Sequence, residues 1–322
     1  MHHLLLLGAS GYVGQFIVEH FLLQDGWALF AGCHETAVTW PAGVTPIRVD
    51  ITDAASISAA IQACTPHVIV NCAAMAALGA CEAAPASAEA INCPHALLAA
   101  LRGAATTPHL IHFSTDIVFP GRAPGVPAYT EASEVLPAAA LNVYGRTKAT
   151  FEVCLLDVRT TTPFTILRCS NVLGPAPPYH RSKATVKFVQ WLVTEMAAGK
   201  TLTAFADELR SYVSVFDVVA IVARVCAAVL AREPGIPRLL NVGGPHVLTR
   251  VDVATAAAAG FGAAVTIVPC KRADAGLAYA APADAGMDTA AAAALLARPL
   301  QDVRDAVRVV FVPALLSGMK PM

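Results

Sequence analysis

Three glycines spaced three residues apart, Gly8, Gly11 and Gly14 in "GASGYVG", decide most of what this chain can become. They follow the apolar run "HLLLL" and precede "VGQFIVEHFLLQ", where Val13, Phe16, Ile17, Phe21 and Leu22 recur at helical spacing. Gly8 can make the tight strand-to-helix turn, Gly11 lets backbone approach a pyrophosphate, and Gly14 lets helix and sheet pack closely. The helix N-terminus then aims its unpaired N–H groups at negative charge. A dinucleotide-binding unit is expected, with Ser10, Tyr12 and Val13 in the same cradle; a plain strand–helix turn is the alternative.

The rest of the first half repeats the alternation. "WALFAGC", "TPIRV", "HVIVNCAA", "HLIHFSTDIVF" and "PFTILRCSNVLGP" read as strands. "AASISAAIQAC", one long helix across "PASAEAINCPHALLAALRGA", and the helix opened by "LNVYGRTK" separate them. Strands alternating with helices make βαβ units, and continuously apolar strands fit a sheet covered on both faces. The expected fold is α/β: a Rossmann-type doubly wound parallel sheet with a smaller C-terminal α/β substrate lobe. Residues 1–172 form the expected NAD(P)-binding domain, with 209–242 returning to it. Residues 173–322, beyond the proline-rich "GPAPPYHRSK", are expected to form mainly the substrate-binding lobe.

Composition narrows the function. Of 322 residues, 56% are hydrophobic and 14% charged, which excludes disorder. Net charge is −1 with no basic block, so nucleic acid is not an expected partner. No apolar run approaches the roughly 18 residues of a membrane span. "LLLLGASG" is too short for a signal peptide, so a cytoplasmic enzyme is expected. The nine cysteines are scattered without CxxC, and the ten histidines form no HxxxH. Neither a disulfide framework nor a metal site is expected, and His109 and His112 read as structural.

A ribose-binding acid is expected about 20 residues beyond the glycines. Gly32 stands there instead, in "AGCHET", with His34 and Thr36 beside the expected cofactor and Glu35 three residues late. Absence of that acid, with Thr36 able to hydrogen-bond a 2′-phosphate, favours NADP(H) over NAD(H). Asp50 and Ile51 are candidates for the adenine pocket, and Asp53 for a helix N-cap.

Tyr144 and Lys148 stack one turn apart on the helix opened by "LNVYGRTK". A second YxxxK, Tyr179 and Lys183, has no helical start behind it. A phenol titrates near 10, and an adjacent ammonium would lower that value. Tyr144 is thus a candidate proton donor and Lys148 its partner, which could also hold a nicotinamide ribose. Thr115 or Ser114, at the end of the strand "FSTD", could hydrogen-bond the substrate oxygen.

In order along residues 1–175, "GASGYVG", "VNCAA", "FSTD", "YGRTK" and "RCSNVLGP" resemble an extended short-chain dehydrogenase/reductase. "VIVNCAA", "FSTDIVFPG" and "LNVYGRTK" further resemble the dTDP-4-dehydrorhamnose reductase (RmlD-like) branch. The regulatory β subunit of methionine adenosyltransferase belongs to the same branch and is resembled about as well. The resemblance implies a keto-sugar nucleotide as substrate and Thr115, Tyr144 and Lys148 as catalytic trio. It places Gly8, Gly11, Gly14, Cys72, Ala73, Ala74 and Lys148 around the cofactor, and makes a homodimer plausible. It also implies a regulatory alternative, docking on a methionine adenosyltransferase catalytic subunit. Asp116, beside the substrate in that family, is followed by Ile117 rather than a dehydratase's glutamate. Asn171 and Arg210 fall where 4-epimerases hold a sugar-nucleotide diphosphate, a third alternative; a loop cap and a surface ion pair are their structural readings. The branch's tryptophan-containing stretch and Arg-Pro are absent, replaced by "CSNVLG" and Ala281-Pro282. The segment "GRAPGVPAYTEASEVLPAAA" reads as an extended surface loop.

Overall fold

Leu4 and Leu6 face one side of the first strand, Leu5 and Leu7 the other, and all four are buried. A strand apolar on both faces belongs inside a sheet covered on both sides. In the computed structural model, which describes residues 1–157, 162–181, 186–262 and 264–317, it lies in a seven-stranded parallel sheet. The strands are β1 (His2–Leu7), β2 (Trp27–Cys33), β3 (Val44–Arg48), β4 (Val68–Asn71), β5 (His109–Thr115) and β6 (Phe164–Cys169). Four short strands outside the sheet follow: β7 (Val172–Leu173), β8 (Leu202–Phe205), β9 (Leu209–Arg210) and β10 (Val213–Ser214). Then β11 (Leu239–Val242) pairs parallel with β6. The order is β11-β6-β5-β4-β1-β2-β3. It reverses between β1 and β4, so the carboxyl ends of those strands part there, at the place where such sheets bind ligands.

Helices cover the sheet: α1 (Tyr12–Leu22), α2 (Ala54–Cys64), α3 (Leu78–Ala83), α4 (Pro85–Asn92), α5 (His95–Arg102), α6 (Val143–Asp157), α7 (Phe188–Ala197), α8 (Val215–Leu230) and α9 (Arg250–Phe261). Phe16, Ile17 and Phe21 of α1 and Val218 and Val222 of α8 pack on the Leu4/Leu6 face. Ile57, Leu97, Leu98, Phe151 and Leu155 pack on the other. A third cluster, with Leu192, Val193, Val253 and Phe311, forms the core of the C-terminal elements. There β12 (Leu248–Thr249) pairs with β9, and β13 (Ile267–Cys270) with β8.

One expectation is corrected. The long helix over 85–104 is two helices, because Pro94 lacks the N–H to continue α4 and instead stands at the N-cap of α5. The segment after β5 runs over the surface, as expected, and is tied down along its length. Tyr129 stacks on Phe119 at 3.9 Å, and its N–H donates to the Gly286 carbonyl at 2.9 Å. Arg122 pairs with Asp284 at 2.9 Å, and Glu131 accepts from the Asn241 N–H at 2.9 Å. Among the described residues, no helix is long and apolar enough to cross a membrane. All nine cysteines are free.

Candidate active site

The glycine loop closes tightly on the sheet. Gly8 has φ +79°, and a Cβ there would lie 2.6 Å from the Ala73 nitrogen. A Cβ on Gly14 would lie 2.5 Å from the Gly8 carbonyl, so both positions demand glycine. Gly11 is the N-cap of α1 and no side chain caps the helix. The first N–H groups of α1 are therefore available to an anion.

A groove runs across the switch point in two adjoining cavities. One, of about 530 Å³, is lined by Gly8, His34, Thr36, Asp50, Ile51 and Ala73. The other, of about 590 Å³, is lined by Tyr12, Val13, Gly14, Thr115, Tyr144, Lys148 and Asn171. Ser10, Gly11, Thr36, Cys72 and Ala74 line both, so the two are continuous.

Tyr144 enters the groove because α6 starts where it does. The Asn142 side chain accepts from the Gly145 N–H at 2.8 Å, and the Val143 N–H donates to Glu82 at 2.8 Å. Gly145 permits this seat: a Cβ there would lie 2.3 Å from the Ile117 carbonyl, just beyond β5. Gly145→Ala should lift the start of α6 off β5. We expect a stability loss of about 2 kcal/mol in urea unfolding, and a large fall in any activity that uses Tyr144.

Lys148 is 1% exposed and donates through Nζ to the Phe113 carbonyl at 2.9 Å. Burial pushes its ammonium down to about 8. Tyr144 departs from the expectation that Lys148 lowers its titration. Burial, then the Asp116 charge, raise the phenol well above 10, against a hydrogen bond with Thr115. Desolvation of the phenolate sets the direction. At neutral pH the Tyr144 hydroxyl keeps its proton.

Below this pair lies a buried ionic cluster. Glu152, one turn beyond Lys148, accepts two bonds from Arg168 Nε at 3.1 and 3.2 Å and one from its Nη2 at 2.8 Å. It also accepts the Ser114 hydroxyl at 2.5 Å. Ser114 and Thr115 both line the groove, and each hydroxyl already donates to a buried carboxylate, Ser114 to Glu152 and Thr115 to Asp116, so either would have to turn to meet a substrate oxygen. The expectation that Asp116 lines the substrate site is corrected. Asp116 is 1% exposed, does not line the groove, and accepts from Ser170 at 2.7 Å and Thr115 at 3.2 Å. Burial raises its carboxyl's titration.

Arg210 lines the groove yet is no surface pair. It is 2% exposed, and its guanidinium donates to the carbonyls of Leu209 at 2.7 Å and Pro282 at 2.8 Å. Those bonds tie β9 to the segment at Ala281-Pro282 and leave it less able to clamp a diphosphate. Lys187, Arg250 and Tyr279 line the same end of the groove and had no signal in the first half of the chain. Lys187 sits 5.2 Å from the Tyr12 ring, and Arg250 pairs with Glu208 at 2.9 Å. Of the second YxxxK, Lys183 lies outside the described residues, and Tyr179 packs at 5.4 Å on Trp40. His109 and His112 are buried, bonded to Thr165 at 3.0 Å and Asn71 at 3.2 Å.

At the cavity of about 530 Å³, Gly32 sits near the end of β2, where a Cβ would meet the Leu6 carbonyl of the neighbouring strand at 2.9 Å. Glu35 and Asp50 also line it, with His34 3.6 Å from Asp50. Hydrogen bonds from Thr52 hold the Asp50 carboxyl below its usual range.

The RmlD substrate binding domain model matches residues 1–314. The probable low-salt glycan biosynthesis reductase of Haloferax volcanii is 33% identical over 202 residues, 62% of this chain. The match spans 63% of that relative's own length, less than two thirds. Methionine adenosyltransferase 2 subunit beta of Xenopus tropicalis is 27% identical over 265 residues, covering 80% of this chain and 71% of that one. The dTDP-4-dehydrorhamnose reductase of Bacillus anthracis, solved in complex with NADP, superposes with a TM-score of 0.73 at 19% identity, over 95% of this chain and 97% of that one.

Proposed function

The chain belongs to the RmlD substrate binding domain family, and from that premise we propose that it is a nicotinamide-dependent reductase of a keto-sugar nucleotide. One observation carries the reading: Thr115, Tyr144 and Lys148 line a groove continuous with the glycine-walled N-terminus of α1. Uncapped N–H groups, and glycines where a Cβ would collide with backbone, suit a dinucleotide's pyrophosphate. A bound nicotinamide would supply the hydride.

This chain's residues then have separate tasks. Tyr144 gives its phenolic proton to the carbonyl oxygen as negative charge grows there. Thr115 hydrogen-bonds the same oxygen. Lys148, braced by the Phe113 carbonyl, favours that charge and holds the ribose. Lys187 and Arg250 supply the positive end for a diphosphate, and Asn171 a polar contact beside it.

NADP(H) is the favoured cofactor, since no acid stands at Gly32 and Thr36 lines the groove. Glu35 and Asp50 nearby temper that preference, and no lysine or arginine lines this cavity. We expect NADPH to outperform NADH in kcat/KM by no more than about tenfold, roughly 1.4 kcal/mol.

The test is oxidation of NADPH and NADH by the purified protein with a panel of keto-sugar nucleotides. The kcat/KM for the cofactor reports groups of the free enzyme. It should be level near pH 6, be halved at the Lys148 value of about 8, and fall further above it, as the ammonium is lost. No oxidation with any member of the panel would contradict the reading.

A second reading has its own support, in the Xenopus tropicalis likeness across 80% of the chain. It makes the protein an NADP-binding regulatory partner of a methionine adenosyltransferase. Co-purification with such a synthetase and a silent panel would favour it. The 4-epimerase reading keeps Asn171 and Arg210 in the groove, with part of the Arg210 guanidinium engaged by backbone carbonyls. Cofactor retained and not consumed during turnover would favour it.

A further inference from the structure

Away from the groove, three soft donors converge. Cys93 Sγ, His95 Nε2 and Cys154 Sγ lie within 4.8 Å of one another. Sequence spacing hides the set. Pro94 breaks the helix so that Cys93 ends α4 and His95 opens α5, while Cys154 comes from the last turn of α6. Cys93 is buried, Cys154 half-buried and His95 exposed, so the set opens to solvent on one side.

The Cys93 Sγ to His95 Nε2 distance is 3.5 Å. A tetrahedral zinc ion, with Zn–S of about 2.3 Å and Zn–N of about 2.0 Å, holds its sulfur and nitrogen donors about 3.5 Å apart. We propose that Cys93, His95 and Cys154 bind Zn²⁺, water completing the tetrahedron, and so clip the α4–α5 junction to the end of α6. Two thiolates and an imidazole select zinc over the oxygen-seeking Mg²⁺ and Ca²⁺.

Binding forms two Zn–S bonds and releases two thiol protons to solvent, with no change of oxidation state. The thiolate, not the thiol, is the ligand. Zinc therefore competes with protons, and affinity should climb with pH. The charged groups bearing on the thiols are Glu89 and Lys148 at Cys93, and Asp157 and Arg102 at Cys154. None of the three donors lines the groove, so the proposal is independent of the reductase reading.

The full chain, reduced with a phosphine and freed of metal, is titrated with Co²⁺ and then Zn²⁺. One equivalent of Co²⁺ should give thiolate-to-cobalt charge transfer in the near ultraviolet and tetrahedral bands in the visible, both erased by Zn²⁺. The charge-transfer band separates this site from the histidines clustered at the start of β1, His2, His3 and His67. The thermal midpoint should rise with Zn²⁺. Cys154→Ser, a near-isosteric change at a half-buried position packed on the core, and His95→Ala, at an exposed position, should fold normally. Each should weaken binding by more than the ten- to roughly hundredfold cost of losing a supporting hydrogen bond. No charge-transfer band, or equal zinc affinity in the parent and both variants, would overturn the proposal.

Discussion

Tyr144→Phe should lower kcat about a thousandfold while leaving cofactor affinity nearly unchanged. The substitution removes one hydroxyl and keeps the ring, which packs with Val143 against Cys81 and Ala88. The start of α6 is held by Asn142, Glu82 and Gly145 rather than by the phenol. Lys148 keeps its bond to the Phe113 carbonyl. What disappears is the proton that must reach the substrate oxygen as hydride arrives. Isothermal titration with NADPH and a steady-state assay separate the two effects. Full turnover by the variant would remove Tyr144 from the mechanism.

Glu152→Ala should cost about 3–5 kcal/mol of unfolding free energy. Glu152 and Arg168 have side chains 1% and 4% exposed. Removing the carboxylate leaves a guanidinium buried without its counter-charge. It also strips the Ser114 hydroxyl of its acceptor. The paired replacement Glu152→Leu with Arg168→Met should recover most of the loss, since the two residues couple. Arg168 Nη1 already lacks a partner, so the cluster is not fully satisfied even in the parent chain. Urea unfolding of the parent, Glu152→Leu, Arg168→Met and the pair closes a cycle that gives the coupling directly. An equal loss in the single and paired variants would show that the cluster is not held by this ion pair.

The sheet was legible because β1 and β4 are apolar on both faces, a pattern that only a covered parallel sheet explains. Gly8 and Gly14 could be read from spacing because their constraint is local: the Cβ each lacks would strike backbone of the neighbouring turn or strand. Tyr144 and Lys148 could be read as a helical pair for the same reason. Glu152 completes the series at four-residue spacing, so a signal for it was present. Its partner Arg168, on β6, could not be inferred without the sheet register. Lys187, Arg250 and Tyr279 reach the groove only through C-terminal packing. The sign of the Tyr144 shift depends on burial, which spacing does not report. Pro94 was visible as a breaker, yet the convergence of Cys93 and His95 with Cys154 depends on how α5 and α6 cross the sheet.

The most direct test follows a single atom. Reduced cofactor carrying deuterium at nicotinamide C4 is supplied, in each of its two stereochemical forms, with the keto-sugar nucleotide that gives turnover. One form should deliver one deuterium per product to the former carbonyl carbon, at a rate that Tyr144→Phe cuts about a thousandfold. Product free of deuterium with both forms would contradict hydride transfer in this groove.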